Sequence, residues 1–234
     1  MLTATDFEVA RAIAEKLNIP SEFGTHMEEE YFDSDDLAYQ LADLNVGEFK
    51  IDNGVSKAVI IFEGFDFVIK IPFNGGWYGW YNEETEEYED DYFEEFTRAD
   101  SPDPSDYCWD ECINIHDAYD AGFGALFPST SFLCKVGSRR FYIQEKVKTS
   151  RQFMASPSEN SRERAREIGR GYKYCSEEWR AMVIELYGEE FFMHFVEWCV
   201  TNHNSILTDM HSANYGYSMD GAPIILDASG YREG

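Results

Sequence analysis

The alternation of apolar and polar positions changes period several times along the chain, and each change marks an element. Phe7, Ala10, Ile13, Ala14 and Leu17 recur at helical spacing, "NIPSEFG" interrupts the run, and Leu37, Leu41 and Leu44 resume it. Residues 1–45 therefore read as an N-terminal helical cap. The next stretch, "EFKIDNGVSKAVIIFEGFDFVIKIPF", is dense in Val, Ile and Phe, with "DNG" and "EGFD" as turn signals, and predicts three successive antiparallel strands. The third holds Lys70 inside "FVIKIP".

Nine acidic residues then fall between Glu83 and Glu95. Tyr88, Tyr92 and Phe96 recur every four residues, the pattern of a helix with one aromatic stripe, but for so charged a segment a solvated face or loop is the favoured reading. This acidic insertion spans about residues 75–105 and ends in the loop "ADSPDPSD". In "YCWDECINIHDAYDAG", Cys108, Cys112, Ile115 and Tyr119 predict a helix with Glu111 beside its apolar stripe. A hairpin follows in "LFPSTSFLCKVGSRRFYIQEKV", turning at "KVGSRR". The polar run "SPSENSRERAREIGRG" leads to helical sequence, in which "EEFFMHFVEWCVTNHN" directs Phe191, Phe192, Phe195, Val196 and Cys199 inward. "YGYSMDGAPIIL" closes the order as two short strands around "MDG".

With 234 residues, 44% of them apolar, the chain can bury a real core as one large domain or two lobes. A formal net charge of -26 argues against nucleic acid or an anionic membrane as a direct partner, and leaves a basic protein or mimicry of nucleic acid. No run of 18 apolar residues occurs, and the start lacks the basic and apolar regions of a signal peptide, so a cytoplasmic location is expected. Five cysteines without a C-x-x-C pair point to small buried residues in a reducing compartment.

Near the chain end, "LTDMHSANYGYSMDGAPIILDASGY" gathers Asp209, His211, Asn214 and Asp227. Carboxylates and an amide are poor core material but good ligands for magnesium and good proton-transfer groups. Asn214 lies five residues after Asp209 and thirteen before Asp227, an interval that two short strands would fold back so that two oxygen ligands face one cleft. Lys70 is unusual in its own right. A lysine in an apolar strand is commonly an edge residue whose ammonium reaches water, and otherwise must be paired.

The ordered set "VIK", D-x-x-x-x-N, hairpin and "ILD" resembles the protein-kinase-like fold over about residues 53–230. "DMHSAN", with His two residues after Asp, is similar to the aminoglycoside-phosphotransferase branch. It is most similar to the small early serine/threonine protein kinases of T-odd-type tailed phages, in which an N-G turn, a V-I-K strand, D-M-H-S-G-N and a metal-binding Asp occur in the same order. The resemblance implies an α+β, two-lobed fold. Its strand-rich N-lobe would span 46–146 and a truncated helical C-lobe 147–234, with the nucleotide between them.

It also implies roles. Lys70 would contact the ATP phosphates, and Glu111 would be the helix carboxylate that holds it, although conventional spacing from Lys70 selects Glu89. Asp209 would orient or deprotonate the acceptor hydroxyl, with His211 in support. Asn214 and Asp227 would hold Mg²⁺. The backbone of Gln144, Glu145 and Val147 would meet the adenine, and the loop carrying Gly54 and Ser56 would cover the phosphates. Three features depart from the kinase pattern: a single glycine in that loop, "LTD" in place of H-R-D, and seven residues after Asp227, with no activation segment or A-P-E motif. Three functions follow as expectations: a kinase acting on serine or threonine of basic host proteins and on itself, an acidic interaction protein on a kinase-like scaffold that sequesters a basic or nucleic-acid-binding host factor, or a small-molecule kinase. A homodimer is compatible with each.

Overall fold

The computed structural model describes residues 1–19, 34–53, 57–72, 76–82, 87–93, 107–149, 177–202, 206 and 214–228. The chain divides into two compact units: one of Leu2–Trp109 with Ser131–Gln144, the other of Met1, Asp110–Thr130 and Glu145–Gly234.

In the first unit, α1 (Ala4–Ala14) starts where Thr3 caps it: the Thr3 hydroxyl accepts from the Asp6 N–H at 3.2 Å, and the Asp6 carboxylate accepts from the Thr3 N–H at 2.7 Å. Two hydrogen bonds between Asn18 and the Gln40 amide, at 2.7 and 2.9 Å, latch the end of this segment to α2 (Ser34–Asp43). Strands β1 (Phe49–Asn53), β2 (Lys57–Phe62) and β3 (Phe67–Pro72) pair antiparallel in sequence order, as their content of Val, Ile and Phe and the two turn signals predict. The hairpin of β6 (Thr130–Val136) and β7 (Arg139–Glu145) completes a five-stranded sheet in the order β1-β2-β3-β7-β6. Its turn passes through Gly137 at φ 61°, a conformation that glycine adopts without strain.

The register of β2 against β3 sets Ala58 opposite Ile71 and Ile60 opposite Ile69. These residues, with Phe62 and Phe67, form the core face, and Ala10, Ile13, Leu17, Leu37 and Leu41 from the two helices pack in the same cluster. Each fully buried leucine contributes about 1.5–3 kcal/mol. A ten-residue helix is marginal alone, so packing of Leu37 and Leu41 against the sheet holds α2.

The acidic segment departs from expectation. Residues 87–93 form β5 (Glu87–Phe93), paired antiparallel with β4 (Gly76–Asn82), where the tyrosine spacing suggested a helix. Trp77 lies opposite Tyr92 and Tyr81 opposite Tyr88 in the register. Aromatic positions suit cross-strand pairing in a pleated ribbon, and "GWYGWYN" supplies a partner strand that a helix would leave unused. Among the described residues this two-stranded sheet pairs with no other strand.

The second unit holds most of α3 (Tyr107–Asp120), a 3₁₀ turn at Gly124–Leu126, and two helices, α4 (Glu177–Tyr187) and α5 (Glu189–Asn202), separated by Gly188 at φ 91°. A three-stranded sheet orders β10 (Pro223–Ile225), β9 (Tyr215–Tyr217) and β8 (Lys148–Thr149) side by side. The core is aromatic: Trp179 meets Tyr215 with ring centroids 5.5 Å apart, and Phe123 meets Phe195 edge-on at 5.6 Å. Phe192, Phe195, Val196 and Cys199 are buried as their spacing predicts, with Phe191 partly so. On α3 the buried positions are Cys108, Glu111, Ile115 and Ala118, whereas Tyr119 is 46% exposed and Cys112 half-buried. The buried stripe thus passes through Glu111 and Ala118 where the sequence suggested Cys112 and Tyr119.

Candidate functional site

Lys70 belongs to β3, which has β2 on one side and β7 on the other. All six residues of β3 are buried, and Lys70 is only 4% exposed. The edge-strand reading, with the ammonium carried out to water, therefore does not hold. Strand alternation puts Phe67, Ile69 and Ile71 in the apolar core and turns Val68, Lys70 and Pro72 to the opposite face. That face is covered too, so Lys70 is held in a low-dielectric setting.

Glu111 is completely buried on α3. Its competitor, Glu89, lies in β5 opposite Trp80, on a strand, so of the two only Glu111 is a helix carboxylate. One turn after Glu111, the Asn114 amide donates to the Ala228 carbonyl at 2.5 Å. This bond fastens the helix that carries Glu111 to the residue following Asp227.

Asn214 is 8% exposed and immediately precedes β9. The Leu226 N–H donates to the Asn214 carbonyl at 2.8 Å, continuing the β9–β10 ladder by one step beyond the pairing of Tyr215 with Ile225. Asp227, half-buried, is thus returned beside the residue thirteen positions earlier, as the spacing predicts. The turn is closed by Ser218 N–H to Ala222 O at 2.9 Å, with Gly221 at φ 90°. β8 supports this hairpin from the other side, pairing Thr149 with Gly216, while the Lys148 ammonium donates to the Met219 carbonyl at 3.2 Å. Gly216 is the tight point. A Cβ there would lie 2.7 Å from the Lys148 carbonyl oxygen and 2.9 Å from a Leu226 methyl.

Gln144, 4% exposed, ends the buried run of β7. The Glu145 N–H donates to the Ser129 carbonyl at 2.8 Å, and its carboxylate receives the α-amino group of Met1 at 2.6 Å and the Ser129 N–H at 3.4 Å. Burial, and then the Glu145 charge, push the Tyr119 phenol above its ordinary pKa. Val147 is half-buried in the two-residue link between β7 and β8. Gly54, Ser56, Asp209 and His211 lie outside the described residues.

The oxygen donors fit a magnesium ion. The Asn214 amide and the Asp227 carboxylate are hard ligands, and Mg²⁺ is ordinarily held by one or two carboxylates together with phosphate oxygens and water. Among the described residues no group of three or more His, Cys, Asp or Glu could hold a metal. No described helix is long and apolar enough to cross a membrane. Sequence reasoning missed β8, the Asn114 fastening and the close packing at Gly216. A two-residue strand leaves no periodic signal, and the other two depend on distant backbone. Comparisons with protein-family models, with curated proteins and with solved structures found no match.

Proposed function

We propose that the chain is an ATP- and Mg²⁺-dependent phosphotransferase with a kinase-like two-lobed fold, a serine/threonine protein kinase of the phage type acting on basic host proteins and on itself. The observation that carries this reading is the closed β9–β10 hairpin, which brings Asp227 beside Asn214. The sheet order, with Lys70 buried on its central strand, supports it as well, as does a helix bearing a buried carboxylate that follows β3 and precedes β6 along the chain.

In this reading the Lys70 ammonium binds phosphate oxygens, where a buried cation acts more strongly than in water. Asn214 and Asp227 hold the Mg²⁺, which neutralises phosphate charge when bound. Asp209 orients the acceptor hydroxyl and takes its proton as the oxygen attacks the terminal phosphorus, and the bond from that phosphorus to the bridging oxygen breaks to release ADP. Glu111 positions Lys70, and the 144–147 backbone receives the adenine. A thermal-melting test decides the nucleotide part: Mg²⁺-ATP should raise the melting temperature of the wild type and not that of Asp227→Ala. An equal rise in both, or in neither, removes the assignment.

A second reading is favoured by the β4–β5 hairpin, whose second strand carries Glu87, Glu89, Asp90 and Asp91. As an interaction protein the chain would capture a basic factor through these charges. Capture would then weaken with salt and with neutralisation of the four acids, and would be indifferent to Asp209→Ala.

A further inference from the structure

The register of β4 against β5 sorts the ribbon into two unlike faces. Trp77 is opposite Tyr92, Gly79 opposite Asp90, and Tyr81 opposite Tyr88. Directly opposed residues share a face and residues two apart return to it, so these six positions lie on one side of the ribbon. That side holds four aromatic residues, with its one acid, Asp90, in the middle pair. The other side pairs Tyr78 with Asp91, Trp80 with Glu89 and Asn82 with Glu87, and so holds the remaining three acids of β5.

Gly79 is the informative position. A glycine inside a strand weakens it, and commonly marks a bulge or a place where a ligand comes close to the backbone. Here the pairs from Gly76–Phe93 to Asn82–Glu87 follow one another in unbroken register, so no bulge accounts for it. The Gly79–Asp90 pair has an aromatic pair on either side, each about 7 Å away along the strands, a spacing at which rings can flank one cation held at a central carboxylate. Arginine suits such a place better than lysine. Its guanidinium stacks on aromatic rings and meets a carboxylate through two parallel hydrogen bonds, whereas an ammonium is a strongly hydrated point charge. The net charge of -26 supplies the complementary field that draws in a basic segment.

We infer that the face of Trp77, Gly79, Tyr81, Tyr88, Asp90 and Tyr92 is a docking site for an arginine side chain of a basic partner protein, with Asp90 as its carboxylate, while Glu87, Glu89 and Asp91 act at a distance to speed encounter. The inference rests on the interaction reading above and deepens it, because it replaces general attraction by four acids with a site for one kind of side chain.

Asp90 and Asp91 are adjacent and equal in charge but lie on opposite faces, and this gives the test. Surface plasmon resonance compares the immobilised full chain with two peptides of equal length and charge, one alternating arginine and glycine, the other lysine and glycine, at about 0.1 M and about 1 M salt, where the screening length falls from roughly 10 to roughly 3 Å. The wild type should prefer the arginine peptide about two- to fivefold, the equivalent of one exposed cation–π contact. Asp90→Asn should speed dissociation and keep most of its effect at high salt. Asp91→Asn should slow association alone, and its effect should vanish there. Tyr88→Ile, which suits a strand, should weaken the arginine peptide about two- to fivefold, whereas Tyr88→Phe keeps the ring and should stay within about twofold of the wild type. The preference of the wild type is read without any variant. Equal affinity for the two peptides, or Asp90→Asn and Asp91→Asn alike at both salt concentrations, overturns the aromatic site and leaves capture by general charge standing. An arginine preference unchanged when Glu87, Glu89 and Asp91 are all neutralised upholds the site and removes capture by general charge. A wild type that binds neither peptide overturns both.

Discussion

Replacing Gly216 by alanine tests whether the β8-β9-β10 sheet sets Asn214 and Asp227, the residues proposed to hold Mg²⁺. The added methyl would meet the Lys148 carbonyl oxygen at 2.7 Å and a Leu226 methyl at 2.9 Å, both inside the closest approach that a Cβ tolerates. The oxygen belongs to backbone and cannot rotate away, so β8 must separate from β9 or Leu226 must shift. Overpacking of this kind costs about 1–3 kcal/mol. Leu226 is also the donor to Asn214, so the strain falls on the bond that brings Asp227 into place. Hydrogen exchange reads it locally: protection of the Leu226 amide should fall about 5- to 150-fold, the equivalent of that cost. The melting temperature should drop by about 2–4 °C for each kcal/mol. Gly64→Ala is the control, because nothing lies within 4 Å of its added methyl, and it should stay within about 0.5 kcal/mol of the wild type. If Gly216→Ala keeps full Leu226 protection and the same response to Mg²⁺-ATP, the hairpin is not what positions Asp227.

Thr3→Ala should cost about 0.5–2 kcal/mol by urea unfolding, since it removes a cap. Hydrogen bonds from the Thr3 hydroxyl and then the Thr3 N–H hold the Asp6 carboxyl below its usual range, so the stability it adds is present above the unfolded value near ~3.9 and lost as pH falls through the folded one. The variant should therefore lose less stability than the wild type on acidification, and parallel acid limbs would contradict this. Glu145→Gln should lower the Tyr119 pKa, followed by phenolate absorbance, yet leave it above the ordinary value because burial is the larger cause. The neutral phenol is the favoured folded form, so its stabilisation fades as pH rises above about 10; an unchanged titration in Glu145→Gln would exclude the charge as a cause. Asn114→Ala should cost about 0.5–1.5 kcal/mol and weaken the Mg²⁺-ATP response, because it frees α3 from Ala228. Unfolding and ligand response identical to the wild type would show that this bond does not hold the segment.

Much of the fold was legible because the apolar period was clean. Strands β2 and β3 are dense in Val, Ile and Phe between clear turn signals, α5 keeps its inward stripe, and "MDG" marks a tight turn between β9 and β10. The β4–β5 hairpin was not legible. Aromatic residues recur on both strands, with acids between them on β5, and the adjacent pair Asp90–Asp91 breaks the two-residue period that would have announced a strand. Local pattern could not supply Trp77 and Tyr81 as the partners of Tyr92 and Tyr88. The site shows the same division. Lys70 and the Asn214–Asp227 interval stand out locally, whereas the burial of Glu111 depends on neighbours that are distant in the chain. Choosing between Glu111 and Glu89 as the helix carboxylate required knowing which segment coils, and the tyrosine spacing pointed the other way.

Phosphoryl transfer itself is the central claim. The most direct measurement incubates the full chain with Mg²⁺ and ATP labelled on its terminal phosphate, alone and with a basic protein substrate, and maps any labelled residue by mass spectrometry. The account predicts label on serine or threonine in the wild type, lost by at least about a hundredfold in both Asp209→Ala and Asp227→Ala. Transfer that persists unchanged in both variants, or a wild type that binds Mg²⁺-ATP and transfers nothing, would contradict it.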